Sequence, residues 1–308
     1  MKNTRLVTEG AILLAIYSVL ILAYRYIPFL SLILTFIMPL PFILFSIKYT
    51  LKESFIICAC ALGLTVIISS VSILPTTFMF STVGILIGYL INKKRSKEEI
   101  LLSSTFLYLI HIVLIYSLAK LFFNIDFVKE ITNSMNEAIK QSQSISAGLG
   151  LNSNKASLDQ FKMVIKLIPS MLPTLLLMCS FLLSLLTQVL TFPLIKRLGF
   201  NVPIFKPFRE FKLPLGFVWV FFAVFILSFF KSQPGSFFSL AILNISYLLE
   251  IALVIQGFAV IFNFCYSRQL SKAIPIIILI MCLLIPNALF IVSLIGIIGM
   301  GFNSRIRK

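Results

Sequence analysis

The chain contains 308 residues, of which 59% are hydrophobic and 12% are charged, and its mean hydropathy is +1.07. Soluble domains carry roughly a quarter charged residues, so this composition excludes an ordinary soluble domain. The 26 Lys and Arg residues outnumber the 10 Asp and Glu residues, giving a net charge of +16, and most of them stand in short segments beside apolar runs. That placement is typical of loops at a membrane surface, so it predicts a lipid bilayer, not nucleic acid, as the partner of the basic residues.

The first apolar run, Thr8–Tyr24, predicts a membrane helix. Lys2 and Arg5 precede it, whereas only Arg25 follows closely. Because the cytoplasmic flanks of membrane helices are enriched in Lys and Arg, this charge bias predicts a cytoplasmic N-terminus.

A group of small residues on this helix predicts a close contact with another helix. Gly10, Ala11 and Ala15 recur at helical spacing. Small side chains let the backbone of a second helix approach. We therefore predict that these three residues dock a partner helix, with packing inside the protein as the alternative.

Further apolar runs predict spans two to six. These runs are Ile27–Ile47, Ser54–Ser72, Thr76–Ile91, Ile100–Phe123 and Leu167–Ile195. Pro39 and Pro41 remove backbone donors inside the second span, so its helix should bend there.

The longest hydrophilic stretch, Asn124–Lys166, separates the fifth and sixth spans. Apolar residues recur every three or four positions in two parts of it, which predicts two amphipathic helices. Between them the segment Ser142–Asn154, rich in Ser, Gly and Asn, predicts a flexible turn. We expect the whole stretch to lie on the outer surface of the membrane.

The C-terminal third predicts three more spans whose orientation is ambiguous. They follow a basic loop, residues 196–212, and are Leu215–Phe230, Phe237–Phe264 and Ile274–Phe302. Nine straight crossings would leave the basic tail outside, against the charge bias. Pro286 and Asn287 stand midway in the last run and predict an alternative, a broken re-entrant hairpin that returns the tail to the cytoplasm.

These patterns predict an all-α fold, a polytopic transmembrane helical bundle of about eight to ten membrane segments. We divide it into a six-span membrane core, residues 1–195, and additional membrane helices, residues 196–308.

Only one acidic residue, Glu250, stands well inside an apolar run. A charged carboxylate at that depth costs about 2.5 kcal/mol or more, so its default interpretation is functional. Tyr247 shares its helical face, and Gln256 stands further along the same segment. We predict these residues as candidates for binding a solute or a proton, with hydrogen bonding between helices as the alternative.

The single histidine, His111, is a further candidate in the fifth span, although a lone intramembrane histidine more often packs against a neighbouring helix. The phosphate-binding GxxxxGK[ST] loop and the HExxH and GxSxG motifs are missing from the sequence. The five cysteines lie in or at the ends of apolar runs, without spacing that favours chelation. We therefore expect no enzymatic activity, no cofactor and no metal site.

Several segments together resemble the YybS family of multi-pass membrane proteins of Bacillus-type bacteria. They are the opening T-E-G-A with its apolar helix, PLPF at Pro39–Phe42, FREFKLP at Phe208–Pro214, IQGFAVI at Ile255–Ile261, and the final apolar run with its basic tail. Their order extends the resemblance over almost the full chain. It implies a multi-pass protein of the bacterial cell membrane.

The first six spans are also similar in number and orientation to the substrate-binding S components of energy-coupling-factor vitamin transporters. Those proteins dock a transmembrane coupling subunit through an Ala-x-x-x-Ala track on the first helix, and Ala11 and Ala15 match that pattern. This resemblance implies a small-solute binding module that needs a separate energising partner. The segments after the sixth span depart from it.

Two other functions remain as alternatives. The first is a scaffold that binds no solute and organises another protein through its basic inner loops. The second is a self-sufficient secondary transporter in which Glu250 is the coupling site.

Overall fold

The computed structural model describes residues 2–148, 155–203, 207–230, 233, 235–271, 273–285 and 288–305. Regular structure within these ranges is helical, which confirms the predicted all-α fold. The α-helices, in chain order, are α1 Lys2–Tyr26, α2 Pro28–Ile37, α3 Leu40–Lys48, α4 Leu51–Ile68, α5 Leu74–Asn92, α6 Lys97–Phe123, α7 Phe127–Gly148, α8 Lys155–Leu167, α9 Leu172–Arg197, α10 Gly216–Ser228, α11 Phe237–Ser267, α12 Ala273–Leu284 and α13 Ala288–Arg305.

Seven helical segments of the described chain are long and apolar enough to cross a bilayer, which confirms a polytopic membrane protein. They are Thr4–Tyr26, Pro28–Lys48, Leu51–Ile68, Val71–Asn92, Lys97–Phe123, Pro169–Arg197 and Phe237–Ser267. They correspond to the first six predicted spans and the eighth. The seventh predicted span is the shorter helix α10, and the ninth is divided into α12 and α13.

The bend predicted in the second span is present. Helix α2 ends at Ile37 and α3 begins at Leu40, so the helical ladder is interrupted at the first of the two prolines. The carbonyl oxygen of Pro39 still accepts a hydrogen bond from the Ile43 amide at 2.9 Å. The bend therefore leaves this carbonyl paired inside the bundle.

Two amphipathic helices, α7 and α8, form the predicted outer stretch, but the turn between them begins later than predicted. Helix α7 continues through Ser142 to Gly148, and residues 149–154 lie outside the described residues. Once a helix has formed, each added residue gains a hydrogen bond. A Ser-rich segment can therefore extend an existing helix although its composition favours turns.

The chain divides into two compact units. The first contains Met1–Phe127 and Leu175–Ile204, and the second contains Val128–Thr174 and Phe205–Lys308. The outer stretch thus groups largely with the C-terminal helices. The predicted division at residue 195, with an S-component-like core before it, stays a prediction.

In the first unit, α3 and α5 pack through glycines. A β-carbon added at Gly84 would lie 2.6 Å from the Pro39 carbonyl oxygen, and one added at Gly88 would lie 2.5 Å from that of Ile43. The Ser46 hydroxyl donates to the Ile85 carbonyl oxygen at 2.9 Å across the same interface. The PLPF segment therefore serves close helix packing.

In the second unit, α11 and α13 run parallel to each other. A β-carbon added at Gly296 would meet the carbonyl oxygen of Leu253 and the amide nitrogen of Gly257, and one added at Gly299 would meet the side chain of Val260. Residue numbers therefore increase in the same direction along both helices. Because α12 connects two parallel helices, it must run back in the opposite direction.

This arrangement is that of a re-entrant hairpin. Helix α12 ends at Leu284 and α13 begins at Ala288, and the predicted break at Pro286 and Asn287 lies outside the described residues. Since α13 is parallel to α11, both helices end on the same side of the membrane. This favours the hairpin over a ninth straight crossing.

Candidate functional site

The predicted docking residues of α1 lie on two different faces. Gly10 is buried, and a β-carbon added there would lie 2.9 Å from the Ile57 side chain of α4. Ala11 and Ala15 are exposed, as is Ile12 beside them. Gly10 thus packs against α4, whereas the two alanines face outward, and docking of a partner helix through these residues stays a prediction.

The N-terminal part of α1 contains a polar cluster that was not predicted from the sequence. The Glu9 carboxylate accepts hydrogen bonds from Arg5 at 2.9 Å and from Lys48 of α3 at 2.8 Å. Partial burial and a hydrogen bond with Glu9 raise the pKa of the Tyr49 hydroxyl. Arg5 is one helical turn from Glu9, but Lys48 and Tyr49 stand 39 and 40 positions away, so no local pattern reveals those two partners. Exposed ion pairs of this kind add at most about 1 kcal/mol each.

His111 is a packing residue in the structure. Its imidazole is buried, with Nδ1 2.8 Å from the Leu107 carbonyl oxygen and Nε2 3.1 Å from the Thr82 hydroxyl. Since a carbonyl only accepts, Nδ1 donates to Leu107, while Nε2 lies beside the Thr82 hydroxyl, which itself donates to the Phe78 carbonyl oxygen at 2.7 Å. Both nitrogens therefore lie within hydrogen-bond distance of groups inside the protein, and a role of His111 in solute binding stays a prediction.

Helices α6 and α9 meet along a seam of buried polar side chains, which we call the polar seam. The Ser104 and Ser184 hydroxyls lie 2.6 Å apart, and the Gln188 amide nitrogen donates to both, at 3.0 and 3.2 Å. The Tyr108 and Thr187 hydroxyls lie 3.1 Å apart one turn away. Such bonds hold membrane helices together.

One atom of the polar seam is unpaired. The side-chain oxygen of Gln188 has no hydrogen-bond partner in the part of the chain that the structure describes, although the residue is fully buried. Reversing the amide would leave its nitrogen unpaired instead, so one end of the carboxamide lacks a partner in either orientation.

Gln256 is also bonded within the protein. Its side-chain oxygen accepts from the Leu213 amide at 2.8 Å. Residues 207–214, which we call the strap, therefore lie along the second half of α11. Phe208 packs edge-on against Phe262 with ring centroids 5.5 Å apart, and the Arg209 guanidinium lies 3.7 Å from the Tyr266 ring centroid. The FREFKLP and IQGFAVI segments thus contact each other.

Asn244 has a structural role that the sequence analysis did not assign. Its side-chain oxygen accepts from the Thr174 amide at 3.1 Å, and its side-chain nitrogen donates to the Ser170 carbonyl oxygen at 2.8 Å. These backbone groups are four residues apart and would pair with each other in a continuous α-helix. Pro169 and Pro173 flank the site, so the Asn244 amide stabilises a proline-interrupted helix start.

Glu250 and Tyr247 differ from all of these residues. Both lie on α11 and are partly exposed. The carboxylate of Glu250 makes no hydrogen bond and no ion pair within the described chain. The same ranges contain no group of three or more His, Cys, Asp or Glu side chains that could hold a metal ion. Of the predicted binding candidates, Glu250 and Tyr247 are therefore the two that helix packing does not account for.

A half-open cavity of about 400 Å³ lies between α7 and α8. Its lining includes Asn133, Asn136 and Glu137 of α7 and Lys162 of α8. This volume is in the range of small-molecule sites. Its walls carry amide, carboxylate and ammonium groups, so its chemistry suits a polar solute.

Together these features define a polytopic helical membrane protein in which most buried polar side chains hydrogen-bond within the helix bundle. The chain belongs to the DUF2232 family of predicted membrane proteins, whose profile matches residues 15–300. It is similar to the uncharacterized protein YybS of Bacillus subtilis strain 168, with 28% identity over 312 residues that cover 99% of each chain. The predicted resemblance to the YybS family is confirmed. No solved structure matches the chain.

Proposed function

We propose that this protein is a partner-dependent module of the bacterial plasma membrane. Its N-terminus lies in the cytoplasm, and it binds a small polar solute on the outer side. It works with a separate energising membrane subunit, which it contacts through α1, as the resemblance to S components implies. The observation that carries this proposal is the exposure of Ala11 and Ala15 on α1.

The side chains on the exposed face of α1 are suited to contact with another helix. Ala11 and Ala15 are one turn apart, and the larger side chains beside them, Ile12 and Ile16, are also exposed. A partner helix can therefore approach the α1 backbone at the alanines while packing against the flanking isoleucines. Gly10 and Tyr17 face the protein interior, so the two sides of α1 have separate roles.

The cavity between α7 and α8 supports the solute-binding half of the proposal. Its amide and charged groups can hydrogen-bond a polar molecule, and both helices belong to the predicted outer stretch. In this view α7 and α8 cover the solute from the outer side.

The exposed basic residues between α5 and α6 favour the scaffold as the second candidate function. Lys93, Lys94 and Arg95 are all exposed and offer a surface to an acidic protein. A scaffold would keep its partner without carrying a solute.

The test replaces both alanines with leucine and purifies the full chain gently with its membrane partners. We expect co-purification of a transmembrane coupling subunit to fall about tenfold, which corresponds to about 1.4 kcal/mol. The matched control is Val19→Leu, on the same helix and 66% exposed, which should leave the partner bound. Partner binding that survives the double substitution would contradict the docking role. Mass spectrometry of bound metabolites separates the candidates, because a scaffold carries none.

A further inference from the structure

The re-entrant hairpin turns well inside the apolar length of α11. Gly299 of α13 lies beside Val260 of α11. Ala288, the first residue of α13, precedes Gly299 by eleven residues, and Leu249 precedes Val260 by the same number. Because the two helices are parallel, α13 begins at the level of Leu249. That level is twelve residues past Phe237, or about 18 Å along α11 at 1.5 Å per residue. The start of α13 is therefore at the depth of the hydrocarbon core.

Glu250 lies at this same level and on the face of α11 that α13 covers. It precedes Leu253, Gly257 and Val260 by three, seven and ten residues, which is the spacing of one helical face. Those three residues contact α13. Glu250 is therefore the residue of this face that precedes Leu253, and it lies at the level where the contact between α11 and α13 begins.

Two hydroxyl groups share this part of α11. Tyr247 is three residues before Glu250 and Ser246 is four residues before it, so both lie on its side of the helix. Like Glu250, both are partly exposed. Ser246, Tyr247 and Glu250 therefore form a polar patch on α11. This patch extends from the level at which α13 starts toward the first turns of α11.

Within the described residues, none of the elements that pack on α11 pairs a cation with this carboxylate. Helices α10, α12 and α13 contain only Cys282 and the C-terminal Arg305 as ionisable side chains. The strap carries Arg209, Glu210 and Lys212, and Arg209 lies over Tyr266, sixteen residues beyond Glu250. Within the described chain the carboxylate has neither a hydrogen bond nor an ion pair.

We infer that Glu250, with the hydroxyls of Tyr247 and Ser246, forms an exchangeable site for a monovalent cation, a proton or a sodium ion, at the level where the re-entrant hairpin turns. One carboxylate balances one positive charge, and neutral hydroxyl oxygens complete the coordination of a sodium ion or hydrogen-bond a protonated acid. An intramembrane carboxylate without a protein partner is stable in lipid only when such a cation neutralises it.

The test uses dicyclohexylcarbodiimide, an apolar reagent that modifies protonated carboxylic acids in membranes, on the full-length protein in lipid vesicles. Mass spectrometry should locate the adduct at Glu250. Labelling should fall as pH rises, because the reagent reacts with the protonated acid. Sodium chloride should slow labelling several-fold relative to choline chloride if the site takes sodium, whereas pH dependence without a sodium effect assigns it to protons alone.

Glu250→Gln should abolish the adduct, and Glu130→Gln, which alters an exposed carboxylate of α7 outside the cavity lining, should leave it unchanged. Gel filtration and helical circular dichroism establish that both variants fold. Absence of an adduct at Glu250 over the whole pH range would overturn the inference, as would labelling that is insensitive to both pH and sodium. This result is independent of docking through Ala11 and Ala15.

Discussion

The polar seam and the middle of α11 differ in whether their polar side chains have hydrogen-bond partners. In the polar seam, Ser104, Ser184 and Gln188 bond to one another between α6 and α9. In α11, Glu250 has the higher desolvation cost and yet no partner within the described residues. The difference separates polar groups that hold helices together from one that helix packing does not account for.

The largest effect is expected where α13 is seated beside the Glu250 face. Gly257→Ala would place a β-carbon against the Val292 carbonyl oxygen, and overpacking of this kind costs about 3 kcal/mol. The matched control is Gly63→Ala, which has nothing within 4 Å and should gain up to about 1 kcal/mol from helix propensity. Unfolding in mixed detergent micelles measures both. Equal stabilities for the two variants would contradict the close contact between α11 and α13.

A smaller loss is expected when a bonded polar residue of α11 is removed. Asn244→Leu deprives the Thr174 amide and the Ser170 carbonyl of their side-chain partner, and unpaired groups of this kind cost about 1–3 kcal/mol. We expect a loss of about 2 kcal/mol in the free energy of unfolding. An unchanged free energy would mean that the two backbone groups pair with each other once the amide is gone.

The smallest effects are expected in the polar seam. Tyr108→Phe removes one hydrogen bond to Thr187 and should cost about 0.6 kcal/mol, the average for such bonds in membranes. Gln188→Met removes two bonds together with the unpaired oxygen, so its net effect should be below about 1 kcal/mol. A loss of several kcal/mol at Gln188 would indicate that its free oxygen also has a partner.

Features governed by local chemistry were predictable from the sequence. Pro39 interrupts a helical ladder wherever it stands, so the bend between α2 and α3 followed from the chain alone. The same holds for the amphipathic period of α7 and α8.

Features that depend on distant partners were not predictable. Gly10 and Ala11 are adjacent and point about 100° apart on a helix, so only the position of Ile57 decides which of them is buried. Gln256 and Asn244 look alike in the sequence of α11. Their partners, Leu213 and Thr174, are 43 and 70 residues away, and no local pattern encodes those contacts.

The most direct test measures the free energy of unfolding of Glu250→Gln beside that of Asn244→Leu in the same micelles. If Glu250 is unpaired, the neutral glutamine should leave the protein as stable as the parent chain or slightly more stable, while Asn244→Leu loses about 2 kcal/mol. A loss for Glu250→Gln as large as that for Asn244→Leu would mean that the carboxylate holds the bundle together. The distinction between bonding residues and a free site would then fail.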